Sequence, residues 1–179
     1  MRRLNTFLVI GILLTFLVHA VMSSFRLLGA AVSTATAAAW LCIGLVSVHV
    51  VLTTILTVRT LVTIHRSGKG FFKDNWLFWA RRISGFALLI PLVMHLLIFR
   101  GTGEEAYRLV FFHSGRLISQ ILLIACLALH ILTNLRPMLI GLGIKHPRIL
   151  SADVCFVLSV VLLLACIAFC VYYLRWMAY

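Results

Sequence analysis

The chain has 179 residues, of which 63% are hydrophobic and only 11% are charged. Soluble domains have about 45–50% apolar and about 25% charged residues, so this composition excludes a soluble globular domain, and its hydrophobicity also excludes a disordered chain. Sixteen Lys and Arg against four Asp and Glu give a net charge of +12. In a chain this apolar, we interpret the basic excess as a signal of membrane topology rather than of nucleic-acid binding.

Charged residues divide the chain into five long uncharged stretches. A helix needs about 20 apolar residues to cross a hydrocarbon core of about 30 Å. We therefore predict an all-α integral membrane bundle, one domain over residues 1–179, with five transmembrane helices near residues 5–24, 33–58, 76–99, 112–135 and 152–174. The third stretch is the shortest, and an aromatic belt of Trp76, Phe78 and Trp79 extends it at the membrane interface.

The basic residues are distributed unequally between the two sides of this bundle. Five lie on one side: Arg26, Arg100, Arg108, Arg116 and Arg175. The other eleven lie on the side of the N-terminus. Because basic loops stay in the cytoplasm, we predict a multi-pass protein of the cell inner (cytoplasmic) membrane, with the N-terminus cytoplasmic and the C-terminus outside. Residues 1–24 also resemble a signal peptide. Cleavage there would remove His19, which belongs to the histidine pattern described next, and this argues against that interpretation.

One histidine lies inside each of the first four predicted helices, and the fifth helix has none. They are His19, His49, His95 and His130. An ionisable residue within a span is costly and rare, so it indicates a functional site by default. The competing interpretation, a neutral imidazole that only hydrogen-bonds a neighbouring helix, fits a single residue better than four evenly distributed ones.

The histidines form two pairs by depth. His19 and His95 lie about five residues from the outer ends of their helices, or about 8 Å of depth at 1.5 Å per residue, whereas His49 and His130 lie in the inner halves of theirs. Neutral imidazole is a good axial ligand for haem iron. We therefore predict two b-type haems, an outer one between His19 and His95 and an inner one between His49 and His130. Iron with both axial positions filled has no position left for oxygen or substrate, so we expect such haems to transfer electrons.

The segments around these histidines resemble a known family, the dihaem cytochrome b membrane anchors of succinate dehydrogenases and quinol:fumarate reductases (complex II type). Members with one five-helix chain carry one haem-ligand histidine on each of the first four helices. The best match is the family's Ser/Thr-Gly-Phe-Ala segment before a ligand histidine, here Trp79-Ala-Arg-Arg-Ile-Ser-Gly-Phe-Ala-Leu-Leu-Ile-Pro-Leu-Val-Met-His95. Leu129-His130 with Arg136 resembles the fourth ligand segment, and the first two are matched more loosely.

The resemblance implies the same two histidine pairs and a function for them. The chain would transfer electrons between a membrane quinone, menaquinone or ubiquinone, and a cytoplasmic enzyme of the succinate dehydrogenase or fumarate reductase type. An iron–sulfur subunit and a flavoprotein subunit would dock on the basic inner face. The dicarboxylate would react on the flavoprotein, so this chain would be the membrane subunit of a quinone-dependent oxidoreductase.

Two quinone sites are expected. Glu104 and Glu105 are the only outer acids, and we place one of them, with His113, Arg26 or Arg108, at an outer quinol site because a quinol being oxidised must release protons to a base. A solvated loop is the competing interpretation of these acids. An inner quinone site would use Arg82 and Ser84, whose Arg-x-Ser-Gly pattern is similar to the inner quinone pocket of other complex II anchors.

The chain departs from the family pattern at two places. Some dihaem members have a buried glutamate two residues before the fourth-helix ligand, implicated in moving protons through the membrane, and Ala128 stands at that position here. The outer quinone site of the family can use an acid near the first outer loop, but residues 24–34 contain none. The resemblance therefore does not extend coupled proton transfer by that route to this chain.

Two alternative functions remain open. The chain could be the cytochrome b of another membrane reductase or dehydrogenase, such as a hydrogenase, although nitrate-reductase-type subunits commonly put two ligands on each of two helices. A haem-free transporter or proton relay would instead use acids and broken helices near the midplane. Asp153 is the only acid inside a predicted span, which disfavours the transporter.

Overall fold

The computed structural model describes residues 2–30, 35–67, 75–99 and 113–175. These residues form five α-helices: α1 (Arg2–Leu27), α2 (Ala35–Ser67), α3 (Trp76–Phe99), α4 (Ser114–Gly141) and α5 (Pro147–Leu174). All five are long and apolar enough to span a membrane, which confirms the predicted all-α, multi-pass bundle. The assignment of its two sides to cytoplasm and exterior stays a prediction.

Several helices extend beyond the predicted spans, because a charged residue marks where the chain leaves hydrocarbon rather than where a helix must end. The bounds of α3 agree with the prediction, whereas α2 continues from the predicted end at 58 to Ser67. With 33 residues, α2 is about 50 Å long at 1.5 Å per residue, well beyond a core of about 30 Å. His65 and Arg66 occupy its last turn, where positive charge interacts favourably with the helix dipole.

Hydroxyl side chains within the helices find partners on their own backbones. Ser24 donates to the carbonyl of Ala20 at 2.6 Å, and Thr57 donates to that of Thr53 at 2.6 Å. Similar bonds at three or four residues' spacing recur in α1, α2, α4 and α5. Lipid offers no hydrogen bonds, so this local bonding lets Ser and Thr remain in the spans without unsatisfied donors.

The helices are arranged as two hairpins joined by α5. The α1–α2 pair and the α3–α4 pair each pack closely, and α5 packs against both α1 and α4. The Cα atoms of α2 do not come within 8 Å of those of α3 or α4, and those of α1 do not approach α3 that closely. Packed helices have axes about 8–10 Å apart, so α1 and α2 do not pack directly against α3, and we call the space between them, on the side away from α5, the cleft.

The two ends of the bundle differ in packing. At one end, which we call the Leu27 end, a buried cluster combines Leu27 of α1 with Phe169, Tyr172 and Tyr173 of α5, with Phe99 and Leu117 packed against it. At the other end, called the Gly141 end, α4 comes close to the first turns of α1. A Cβ on Gly141 would lie 3.7 Å from the hydroxyl of Thr6. This pairing of ends shows that successive helices run in opposite directions.

Large apolar side chains cover the outside of the described helices. Ile90 of α3 is 71% exposed, and Phe156 of α5 is 70% exposed. Few side chains are fully buried, and these include polar ones such as Gln120 and Ser84. An apolar exterior around a partly polar interior is suited to lipid rather than to water.

Candidate functional site

The structure brings the predicted outer histidines together across the cleft. His19 projects from α1 and His95 from α3, and their ring centroids are 6.2 Å apart with the ring planes nearly perpendicular, at 87°. The backbones of these two helices do not approach within 8 Å of each other. The two imidazoles therefore reach towards each other from separate hairpins.

This separation matches the one that a shared metal ion would impose. Metal–imidazole bonds of about 2.0 Å and a ring radius of about 1.1 Å, from ring bonds of about 1.33 Å, place the centroids of two opposed rings about 6.2 Å apart. Ordinary aromatic pairs have similar spacings, so the donor chemistry matters as much as the distance. Within the described residues no three His, Cys, Asp or Glu side chains converge, and the donor set here is a pair of imidazoles. Such a pair fits the two axial positions of haem iron.

All four span histidines have Nδ1 next to a polar side chain. The partners are Ser23 Oγ for His19 at 3.2 Å, Asn5 Oδ1 for His49 at 3.0 Å, Gln120 Oε1 for His95 at 2.7 Å, and Ser84 Oγ for His130 at 3.1 Å. A ligating histidine usually donates its second ring N–H to such an acceptor, which orients the ring. At His49 and His95 the neighbouring atom is an amide oxygen, which can only accept, so Nδ1 carries the proton and Nε2 is the atom that would bind a metal.

The surroundings of His95 are aromatic. Its ring lies 5.0 Å from that of Phe99 and 6.2 Å from that of Phe169. Phe169 belongs to the buried cluster at the Leu27 end, so a side chain of α5 helps to fix the position of this imidazole.

The predicted inner histidines each bond within their own hairpin. His49 is bonded to Asn5 of its hairpin partner α1, and His130 is bonded to Ser84 of its hairpin partner α3. Gly85 lies directly against His130, since a Cβ there would be 3.2 Å from Cε1 of the ring. Among the described residues no ring contact joins His49 to His130. Haem binding by either pair stays a prediction.

The residues predicted for the quinone sites are only partly described. Glu104 and Glu105 lie outside the described residues. His113 directly precedes α4 and is exposed. On α3, the guanidinium of Arg82 lies over the ring of Phe78 at 4.8 Å, whereas Ser84 is buried and contacts His130. Arg82 and Ser84 thus have different partners, and their role towards quinone stays a prediction.

Sequence reasoning missed the amide partners of the histidines. Gln120 is the only glutamine in the chain, and it is fully buried in α4. Asn5 lies near the beginning of the first span. An amide in an apolar stretch is costly unless it is bonded, so each was a visible signal. The helix that each amide faces follows only from the packing of the hairpins.

Comparisons with known proteins found no matching family model, no similar curated protein and no similar solved structure. The fold and the histidine geometry therefore rest on this chain alone. The resemblance to the complex II anchors stays an expectation drawn from the residues quoted above.

Proposed function

We propose that the chain is a dihaem cytochrome b of a membrane, in which His19 with His95 and His49 with His130 provide the axial ligands of two haems. The observation that carries the proposal is the meeting of His19 and His95, whose ring centroids are 6.2 Å apart although the backbones of α1 and α3 do not pack against each other. The placement of one histidine on each of four helices, each with Nδ1 beside a polar side chain, supports a second pair of the same design.

Haem held by these four histidines would supply one-electron chemistry. The residues of the chain have three tasks. The imidazoles would bind the iron, their polar partners would orient them, and the apolar helices would keep water away from the cleft. Two such centres at different depths would carry electrons from one side of the membrane to the other.

We further propose that the electrons pass between a quinone in the membrane and an iron–sulfur and flavoprotein enzyme in the cytoplasm, of the succinate dehydrogenase or fumarate reductase type. Two features support this part. The basic residues are concentrated on one side of the bundle, which suits the docking of an acidic protein surface. The segment before His95 also resembles the family's ligand segment. Co-purification of the chain with a subunit carrying covalent flavin would test the partner.

The haem content of the purified chain tests the proposal directly. We expect two haems per chain in a pyridine haemochrome assay, and a b-type spectrum after reduction. The variants His19→Ala and His95→Ala should each retain one haem, the same one in both cases, whereas His49→Ala and His130→Ala should retain the other.

His65→Ala and His113→Ala are the matched controls. Both histidines lie at helix ends and are exposed, so both variants should keep two haems. A colourless protein, or full haem in all four span-histidine variants, would contradict the proposal. An edge contact between two metal-free imidazoles would then explain the 6.2 Å spacing.

A further inference from the structure

Gln120 has the most enclosed position of any polar side chain that contacts a span histidine. It has no exposed surface, and its Oε1 lies 2.7 Å from Nδ1 of His95. The corresponding distances at His19, His49 and His130 are 3.2, 3.0 and 3.1 Å. The His95 bond is therefore the shortest of the four.

The orientation of the Gln120 amide follows from its second neighbour. The hydroxyl of Ser119 donates to the backbone carbonyl of Arg116 at 2.7 Å, so its oxygen is left to accept. Gln120 Nε2 donates to this oxygen at 3.1 Å. A flipped amide would place two acceptors, Gln120 Oε1 and Ser119 Oγ, against each other. The amide oxygen must therefore face His95.

An amide oxygen at Nδ1 can only accept, so the neutral His95 ring carries its proton on Nδ1 and its lone pair on Nε2. The side chain of Gln120 thus selects the tautomer in which Nε2 is free to bind a metal. A hydrogen bond from Nδ1 also makes the imidazole a stronger electron donor. In a site shielded from water this effect is larger than in solution.

We infer that Gln120 is a positioning residue for the His95 ligand: it fixes the ring's tautomer and lowers the reduction potential of the iron that His95 binds. The inference rests on the proposed function, because it assumes a haem at this ring. The physical reason for the lower potential is that a more electron-rich imidazole stabilises oxidised iron more than reduced iron. The second pair has Asn5 and Ser84 as acceptors at longer distances, so the two haems should differ in potential.

Redox titration of the full chain with its haems tests this inference. Replacing the acceptor in Gln120→Leu should raise the midpoint potential of one haem by at least 59 mV, which is a tenfold change in the ratio of oxidised to reduced iron for one electron. The haem affected should be the one that is absent from His95→Ala. Gln120→Glu keeps an acceptor at the same position and should bring the potential back to the wild-type value or below it.

Asn5→Leu is the matched control, since Asn5 contacts His49 instead. It should shift only the other haem. Unchanged potentials in both Gln120 variants, or an equal shift of both haems, would overturn the inference. If Gln120→Leu loses the haem at His95, Gln120→Glu tests the inference instead. A restored or lowered midpoint potential in Gln120→Glu, with an altered low-spin ferric EPR signal, supports the role of Gln120. Loss of this haem in Gln120→Glu as well would overturn it.

A measurement without haem separates this inference from the proposed function. Nitrogen-15 chemical shifts of the His95 ring in the haem-free full chain should report the Nδ1–H tautomer, and Gln120→Leu should shift the ring towards a mixture of tautomers. Failure of the wild-type chain to bind haem would overturn the proposed function, and the tautomer result would still stand. A wild-type ring with its proton on Nε2 would overturn the inference alone.

Discussion

The two histidine pairs belong to the same four helices but have different surroundings. His19 and His95 face each other at 6.2 Å between ring centroids, close to the buried aromatic cluster of the Leu27 end. His49 and His130 lie towards the Gly141 end and make no ring contact with each other among the described residues. Each is bonded within its own hairpin instead, to Asn5 and to Ser84.

The difference follows from where α5 is packed most tightly. Near the Leu27 end, Phe169 and Tyr172 of α5 contact Phe99 of α3 with ring centroids 6.1 and 6.5 Å apart, and Leu27 of α1 joins the same cluster. This cluster links both hairpins. Towards the other end, α2 packs only against α1 among the described helices. The protein alone thus sets the distance within the first pair, whereas His49 and His130 would be linked only through a bound ligand.

The largest effect is expected from a substitution that disrupts only the second histidine pair. A Cβ at Gly85 would lie 3.2 Å from Cε1 of His130, and the methyl groups of valine need still more room. We expect Gly85→Val to displace the His130 ring and to reduce the haem content from two per chain to one. The haem that remains should be the one that is absent from His95→Ala, which its spectrum and midpoint potential would identify.

Gly44→Val is the control for this substitution. Gly44 lies in α2, and a Cβ there meets nothing within 4 Å. This variant should keep both haems. If Gly85→Val keeps two fully bound haems, His130 does not bind a haem while its ring lies against Gly85.

A smaller effect is expected from loosening the aromatic cluster beside the first pair. Phe169→Ala would remove the ring that contacts both His95 and Phe99. A buried Phe→Ala change costs about 3–5 kcal/mol in soluble cores. In lipid the hydrophobic contribution to this cost is largely absent, so we expect a loss of stability at or below the lower end of that range. The measurement is the thermal midpoint in detergent, which should fall, with earlier release of the His95 haem.

Phe156→Ala is the matched control on the same helix. Its side chain is 70% exposed, and surface changes of this kind usually stay within about 0.5 kcal/mol. Equal midpoints for the two phenylalanine variants would mean that the cluster does not organise the first pair.

The sequence was sufficient to predict the helices and the histidine pattern. The lengths of the stretches without charged residues were enough to locate all five spans. A charged side chain in hydrocarbon is costly wherever it lies, so this signal can be read from the local sequence. It did not predict that α2 would continue to Ser67, because helix formation beyond the membrane surface depends on backbone preference and not on hydropathy. The ends of elements are therefore less predictable here than their number.

For the candidate site, depth along the helices was enough to pair His19 with His95. The difference between the two pairs could not be predicted in the same way. It depends on which helices α5 contacts, and α5 itself contains no histidine. The roles of Gln120 and Ser84 also depend on which side chains face each other between α3 and α4, and this information does not lie in the spacing of residues along one helix.

The smallest expected effect concerns Ser84, for which two roles make different predictions. Its hydroxyl donates to the carbonyl of Arg81 at 3.1 Å, so its oxygen accepts from Nδ1 of His130. A hydrogen bond of this kind contributes about 0.5–1.5 kcal/mol, and at 3.1 Å it is longer than the 2.7 Å bond between Gln120 and His95. We therefore expect Ser84→Ala to keep both haems and to raise the potential of the His130 haem by less than Gln120→Leu raises that of the His95 haem.

If Ser84 acted on quinone instead, Ser84→Ala would raise the KM for quinone and leave both midpoint potentials unchanged. Redox titration and quinone kinetics on one preparation separate these outcomes. Ser159→Ala is the control, because this exposed serine of α5 bonds to the carbonyl of Phe156 in its own helix and should change neither quantity. A shift in potential without a change in KM would place Ser84 with the other histidine partners, Ser23, Asn5 and Gln120.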